Sequence, residues 1–394
     1  MEVVRPVKPG ESSAARSPAD AGTTPFRFYD NRQKYLAFVN TCNEKSAVAN
    51  RAARELRQVR PTQPALRLFD AGMGDATVLA RLMRHAHALF PTVPLMVVAK
   101  EISLEDVRLG LEKMPDRFME HPATVLVVTN LNYSEAPRLR PHGADSAAAV
   151  DWHEIRLKGQ NSNEYAEQIE ELAPTLAFGW QTRPNPKTGN PMYVRPSVLV
   201  VYREDHKFLL DRVIPQTGQA SGPYDLVVAS QPWRARMSAK FKAEKVLAPL
   251  SRSLAPNGRL LVIQSYGRDP ALEVIQRLWP DENPFQVDRR ELLATLKTVL
   301  GPEADEFDLA VPPDDESIFR YEMHTLPTEI GDRIGTSTLF AAWNAAIYVN
   351  QIEEERLDEV VTTGAYRDAT QAVLHKHDGL WFNDESFVVR RWPA

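Results

Sequence analysis

Leu66-Arg67-Leu68-Phe69-Asp70-Ala71-Gly72-Met73-Gly74-Asp75-Ala76-Thr77 is the stretch that decides the fold. An apolar run ends in an acid and a G-x-G turn follows. Ala76 to Phe90 then carries apolar residues at the 3.6 period, through Val78, Leu79, Leu82, Met83 and Leu89. A glycine turn between a strand and a helix is the context that separates a ligand loop from a chance glycine pair. Glycine there permits positive φ and close approach of a ligand, and the helix N-terminus offers unpaired N–H groups. The chain has 30 Pro but only 18 Gly, and Gly72 and Gly74 are its single G-x-G pair, so the placement is informative.

Outward from this loop, Leu95 to Lys100 and Thr124 to Thr129 are further apolar runs, with a helical pattern over Leu104 to Met114 that Pro115 stops. The β-α-β-α-β order predicts a parallel sheet covered by helices on both faces. The alternation pauses between Leu131 and Pro223. That interval holds a strand-like Trp152 to Lys158, a helix-like Glu164 to Leu176, a turn-rich Arg183 to Pro191 and the apolar run Val198 to Tyr202. An insertion of this length is either a lid or substrate-binding unit or a stabilising decoration. Strand signals return at Tyr224 to Ala229, followed by a helix at Lys240 to Leu254, a turn at Ala255 to Gly258 and a strand at Arg259 to Gln264. Helices over Ala271 to Trp279, Arg289 to Leu300 and Thr338 to Arg356, with strands at Ile318 to Thr325 and Leu380 to Arg391, complete the chain.

The expected fold is therefore α/β: a Rossmann-like, doubly wound, mostly parallel sheet with a large insertion between the third and fourth strands and a C-terminal helical and strand extension. Residues 1–25, rich in Pro, Ala, Ser and Gly, read as a disordered tail. Residues 26–60 pair an aromatic segment with a polar helix, Asn43 to Arg60. Phe28, Tyr29 and Tyr35 there either fold over the cofactor cleft as a lid or staple the first helix to the sheet. The core spans 61–135 and 223–394, and the inserted unit 136–222.

Composition excludes several classes. With 394 residues, 43% hydrophobic and 25% charged, the chain has the composition of a soluble globular protein. A lone cysteine, Cys42, excludes an intramolecular disulfide framework. The first residues lack an apolar signal region, and no run of 18 apolar residues occurs; a cytoplasmic protein without a membrane partner is expected. A net charge of -5 gives no global drive toward nucleic acid, which leaves small or protein substrates.

A dinucleotide loop wants G-x-G-x-x-G or Ala. Here Thr77 takes the last position, and Asp75 stands where a pyrophosphate would meet like charge. Acids on both sides of the turn, Asp70 and Asp75, suit a phosphate-free, positively charged ligand such as S-adenosyl-L-methionine. Glu101, closing Val97-Val98-Ala99-Lys100-Glu101, stands where a carboxylate accepts ribose hydroxyls. The alternative for Glu101 is a solvated or helix-capping acid.

With these residues the chain resembles the class I S-adenosylmethionine-dependent methyltransferases over about residues 60 to 270. The likeness takes in the Asp70 to Asp75 loop, Glu101, Tyr224-Asp225-Leu226-Val227-Val228, and Leu254-Ala255-Pro256-Asn257-Gly258-Arg259-Leu260-Leu261-Val262. The resemblance implies cofactor contacts at Tyr29, Asp70, Gly72, Gly74, Asp75, Glu101, Ile102, Asn130, Leu131 and Ser230, with the Asn130 amide on the adenine edge. A weaker likeness, to histamine N-methyltransferase-type small-amine enzymes, rests on Phe28 to Leu36, Phe90-Pro91-Thr92-Val93 and Leu380 to Val388. Ser230-Gln231-Pro232-Trp233 is close to the [Asn/Asp/Ser]-Pro-Pro-[Tyr/Phe/Trp] signature of enzymes methylating planar amino groups, which makes Gln231 and Trp233 the candidate catalytic residues. Packing on the cofactor side and a plain turn are the other readings of that loop.

The expected reaction is in-line transfer of a methyl group to a small-molecule acceptor, at nitrogen, with positioning in place of a dedicated acid or base. For an alkylamine, Asp205, His206 and His153 are candidate proton acceptors. Methylation of a protein or nucleic acid, and cofactor binding without turnover, are the alternatives. Asn344 and Tyr348 either line a pocket or fill the core. No metal is expected, because the i,i+2 pairs His85/His87 and His375/His377 point apart on a helix.

Overall fold

The computed structural model describes residues 32–186, 189–219, 222–325, 329–331 and 334–393. The expectations for the 1–25 tail and for Phe28 and Tyr29 lie outside the described residues. Twelve strands are present among them: β1 (Leu66–Asp70), β2 (Leu95–Lys100), β3 (Thr124–Thr129), β4 (Asp151–Leu157), β5 (Thr182–Pro184), β6 (Pro191–Tyr193), β7 (Ser197–Arg203), β8 (Tyr224–Ser230), β9 (Leu254–Ser265), β10 (Phe307–Asp308), β11 (Ile318–Glu322) and β12 (Trp381–Arg391). β5 and β6 form a separate hairpin. The others make one sheet in the order β10-β12-β9-β8-β1-β2-β3-β7-β4, with β11 also paired to β12.

β3, β2, β1, β8 and β9 run parallel, as expected for a doubly wound sheet. The chain leaves β1 toward β2 on one side and returns to β8 on the other, so the strand order reverses between β1 and β8. Ligands of open α/β sheets bind outside the carboxyl ends of the strands at such a switch point. Alternation along each strand fills both faces: Phe69, Val98, Val127 and Val227 enter one core with Leu247 and Leu292. Leu68, Val97, Leu126 and Leu226 enter the other with Val48, Leu79 and Val107.

The helices that frame the switch point are α1 (Arg32–Thr41), α2 (Glu44–Leu56), α3 (Thr77–Leu89) and α4 (Leu104–Leu111). α1 was not separable from the aromatic segment by periodicity. It packs with the Thr336–Val349 helix in a third core that holds Phe38, Trp343, Ile347 and Phe382.

Two features depart from the sequence reading. The interval 136–222 is not a unit apart, because β7 joins the sheet antiparallel to β3 and β4 joins parallel to β7. Its Val-rich run is buried on both faces, the pattern of an interior strand. Ala255 to Gly258 does not end a strand. It is a bulge within β9, where the register moves from Tyr224↔Leu254 to Leu226↔Arg259. Asn257 has φ 63° there, and a Cβ on Gly258 would lie 2.6 Å from the Tyr224 carbonyl oxygen. The expected C-terminal strand is present and runs antiparallel to β9, widening the sheet.

Candidate functional site

A cavity of about 480 Å³ opens at the carboxyl ends of β1, β2 and β8, at the switch point. Asp70 closes β1 and is 5% exposed, and its Oδ1 accepts the Gly72 N–H at 3.2 Å. Burial lifts its pKa to about 6, with the Glu101 charge adding to the rise and the Gly72 N–H opposing it. A carboxylate kept out of water with so few donors suits a cationic partner.

The glycine loop is held from within. Met73 N–H donates to the Lys100 carbonyl at 3.0 Å, and Gly74 N–H to Glu101 Oε2 at 2.9 Å. Gly72 has open space where a Cβ would stand, whereas Gly74, at φ +52°, would bring a Cβ within 3.3 Å of Tyr35 Oη. Backbone approach is thus available at Gly72, and Gly74 is required by its conformation.

Glu101 lines the cavity. Its Oε1 accepts from Ile102 N–H (2.7 Å) and Ser103 N–H (2.9 Å). With Gly74 on Oε2, three of about four acceptor positions of the carboxylate are taken, which leaves room for about one further donor. Ile102 and Ser230 also line the cavity.

Other expected contacts lie elsewhere. Asp75 is not among the lining residues: it accepts from Thr77 N–H and Oγ1 and lies 3.5 Å from Lys113 Nζ. An acid just ahead of a helix finds the unpaired N–H groups of the first turn, and these outweigh any pull toward the cavity. The Thr77 bond and the charges of Lys45 and Lys113 hold its pKa below the usual range against the effect of burial. Asn130 is 1% exposed, and its amide is fully used: Nδ2 donates to the Gly179 and Arg195 carbonyls, and Oδ1 accepts from Ser197 N–H. It ties β3 to β7, its two donors are taken within the protein, and it is not among the residues that line the cavity. Leu131 is core.

The Ser230 to Trp233 loop forms one wall of the cavity. Gln231, at φ 49°, donates from Nε2 to the Asp384 carboxylate at 3.2 Å and accepts the Ser265 N–H on Oε1. The Pro232 carbonyl is taken by Tyr133 Oη at 3.0 Å, and Trp233 Nε1 by Gln264 Oε1 at 2.9 Å. The Gln231 amide, the Pro232 carbonyl and the Trp233 N–H are thus engaged inside the protein, while Ser230, at the polar position of the signature, lines the cavity beside them.

His153, Asp205 and His206 are remote from the cavity lining; His153 pairs with Asp151 on the edge strand, and Asp205 with Arg203 and His206. Asn344 donates to the Lys34 carbonyl and fastens α1, while Tyr348 does line the cavity. Among the described residues, no group of three or more His, Cys, Asp or Glu side chains is placed to hold a metal ion. Among the same residues, no helix is long and apolar enough to cross a membrane.

Among the lining residues that sequence reasoning missed are Glu44, Lys45, Lys100 and Tyr133. Lys100 stands 4.8 Å over the Tyr133 ring, and burial holds its pKa below the usual lysine value against the pull of Glu101. A lysine closing a strand reads as solvated, and the helix-start pair Glu44-Lys45 reads as a helix-dipole acid with its neighbour. Neither position carries a sequence signal of burial.

No protein-family model matches the chain, and no curated protein matches it by sequence. Among solved structures it is similar to a geranyl diphosphate methyltransferase in complex with S-adenosylmethionine, at 12% identity, covering 87% of this chain and 85% of that one with a TM-score of 0.33. It is also similar to a putative sarcosine dimethylglycine methyltransferase from Galdieria sulphuraria, at 9% identity over 89% and 86% with a TM-score of 0.31. A third is the Haemonchus contortus phosphoethanolamine N-methyltransferase 2, at 12% identity over 88% and 53% with a TM-score of 0.28. At these scores the fold rests on the chain's own topology, a Rossmann-like doubly wound α/β sheet, and the site on its own geometry.

Proposed function

We propose that the chain is an S-adenosylmethionine-dependent methyltransferase acting on a small molecule, with nitrogen as the acceptor atom. One observation carries the reading: two carboxylates, Asp70 and Glu101, converge with the open backbone at Gly72 on one cavity at the strand-order switch point. A phosphate group seated at the glycine loop would face these two carboxylates. A ligand with an ammonium, a sulfonium and a ribose finds a partner for each.

In this reading Asp70 takes the ammonium of the cofactor, Glu101 accepts a ribose hydroxyl, and Ile102 and Ser230 flank the nucleoside. Lys45, partly buried at the cavity wall, supplies a cation for the cofactor carboxylate. Burial pulls its pKa down, but Glu44, Tyr35 and Asp75 outweigh that and hold it well above the usual value. Bound S-adenosylmethionine supplies an electrophilic methyl group. The chain's own part is to desolvate the site and fix the line of attack. Rings of Tyr35, Phe38, Tyr321 and Tyr348 crowd the end of the cavity beyond the loop. Its lining mixes these with charges of both signs, unlike the basic track that a nucleic acid needs.

The internal engagement of Gln231 and Pro232 favours a second reading, cofactor binding without turnover. Incubating the full chain with methyl-labelled S-adenosylmethionine and a small-metabolite extract separates the two. The proposal predicts S-adenosylhomocysteine together with a labelled small product. Binding without S-adenosylhomocysteine from any fraction points to the second reading, and label found only in macromolecules removes the small acceptor.

A further inference from the structure

The charges that line the cavity divide by the face of the sheet they come from. Successive side chains of a strand point to opposite faces. Asp70 stands two residues on from Leu68, whose core holds Val48, Leu79 and Val107 of α2, α3 and α4. Lys100 stands two residues on from Val98, whose core on the other face holds Trp233 and Val246. Glu44 on α2 and Asp106 on α4 add their acids to the first face, where Lys45 is the one cation among the described lining residues. From Tyr133 onward no described lining residue is acidic: the charges there are Arg234 and Lys245, set among the apolar Met237, Phe241 and Val246.

Tyr133 joins Lys100 to this second wall. Lys100 Nζ lies 4.8 Å over its ring, and Tyr133 Oη donates to the Pro232 carbonyl at 3.0 Å, two residues ahead of Arg234. Among the described residues, neither Lys100 nor Lys245 is paired with a carboxylate. A ring face is a weaker partner for an ammonium than a carboxylate is. Lys100 is therefore a partly buried cation short of counter-charge, and burial bears on it more than the charge of Glu101 does. Cations without acids, beside apolar side chains, are the surroundings that an oxyanion on an apolar body would fill.

We propose that the methyl acceptor carries an oxyanion, a carboxylate or a phosphate ester, that Lys100 holds it with Arg234 and Lys245 adding charge, and that its apolar body lies against Met237, Phe241 and Val246. The inference rests on the methyltransferase reading and adds to it the substrate class and the residue that selects it. Three cations on one wall repel a further positive charge, so a protonated amine is disfavoured there. The nitrogen that attacks the methyl group is then one uncharged at neutral pH, of the aryl or heteroaromatic kind, and needs no base before transfer. The C–N bond forms as the C–S bond breaks, the electron pair stays on sulfur as a neutral thioether, and the proton lost by an arylamine product passes to water. Lys100 acts on binding and takes no part in the bond that forms.

The test uses the full chain saturated with S-adenosylhomocysteine and four arylamines of similar shape by calorimetry at neutral pH: 3-aminobenzoate, 3-aminophenyl phosphate, 3-aminobenzamide and 3-aminobenzylamine. One of the two anions is expected to bind about tenfold more tightly than the amide, with the benzylamine weakest, and the tighter anion tells carboxylate from phosphate. Lys100→Gln is expected to abolish that preference while binding S-adenosylhomocysteine within about twofold of the wild type, and Lys100→Arg to keep most of it. Lys245→Gln, at an exposed position, is expected to weaken anion binding about threefold. Amide or benzylamine binding as tightly as both anions, or an unchanged preference in Lys100→Gln, overturns the inference. Should Lys100→Gln not fold, unchanged anion affinity in Lys245→Gln overturns it. So does a folded Lys100→Gln variant that loses S-adenosylhomocysteine, since Lys100 then serves the cofactor. Failure of the wild type to bind S-adenosylhomocysteine at all is instead failure of the methyltransferase reading.

Discussion

Replacing Asp70 with Asn separates what the site costs the fold from what it gives the ligand. Asn keeps an oxygen for the Gly72 N–H, which now reaches Asp70 Oδ1 at 3.2 Å, and removes only the charge. In the folded chain the Asp70 carboxyl titrates at about 6, raised by burial and by Glu101, against an ordinary value of about 3.9 in the unfolded chain. A raised folded pKa contributes stability that is fully present below pH ~4 and is lost as pH rises through about 6. The difference corresponds to roughly 3 kcal/mol. At pH 7.5 the ligand-free Asp70→Asn variant is therefore expected to be more stable than wild type by about 2 to 3 kcal/mol, read by urea denaturation. At pH 4 the two converge. S-adenosylmethionine affinity runs the other way: ionisation of Asp70 predicts about a tenfold gain in the wild type between pH 5 and 7, and Asp70→Asn lacks that gain. Equal stability of the two proteins at pH 7.5, or the same pH slope of cofactor affinity in both, refutes the role given to this carboxylate.

Asn130→Ala removes three hydrogen bonds, one to Gly179 at the end of the Ala173–Gly179 helix and two to Arg195, just ahead of β7, and Ser197 at its start. It is expected to lower stability by about 2 to 4 kcal/mol while a folded sample keeps its cofactor affinity, which denaturation and calorimetry check together. Gly74→Ala places a Cβ at φ +52° and 3.3 Å from Tyr35 Oη. A loss of about 1 to 2 kcal/mol in stability and a weaker cofactor complex follow, whereas unchanged cofactor affinity contradicts the close approach at this loop. Trp233→Phe gives up the Nε1 bond to Gln264 and is expected to cost about 1 kcal/mol of stability, with acceptor preference unchanged in a competition assay.

The five parallel strands and the glycine turn were legible because they are local: apolar runs of six or so residues, helical periods between them, and one G-x-G at a strand end. Long-range pairing was not. Nothing in Val198 to Val201 shows that β7 runs antiparallel to β3, and Ala255 to Gly258 reads as a turn between helix and strand until Leu254, ahead of it, is seen to pair with Tyr224. At the site, Asp70, Glu101 and Gly72 were found by position relative to the strands. Asp75 and Asn130 have the same kind of position, but a helix terminus and a neighbouring strand claim their side chains first. Glu44, Lys45 and Tyr133 reach the cavity from α1–α2 and from beyond β3, contacts that no spacing in the chain encodes.

Titrating the full chain with S-adenosylmethionine by calorimetry, wild type beside Glu101→Gln, tests the central claim most directly. Glu101→Gln keeps Oε1 as an acceptor for the Ile102 and Ser103 N–H groups and removes the charge proposed to face the ribose, together with the acceptor of the Gly74 N–H. The account predicts one cofactor bound per wild-type chain and an affinity at least tenfold weaker in the variant, about 1.4 kcal/mol or more, in line with a charge-assisted hydrogen bond worth about 1.5 to 3 kcal/mol. No binding by the wild type, or equal affinities in the two proteins, contradicts it.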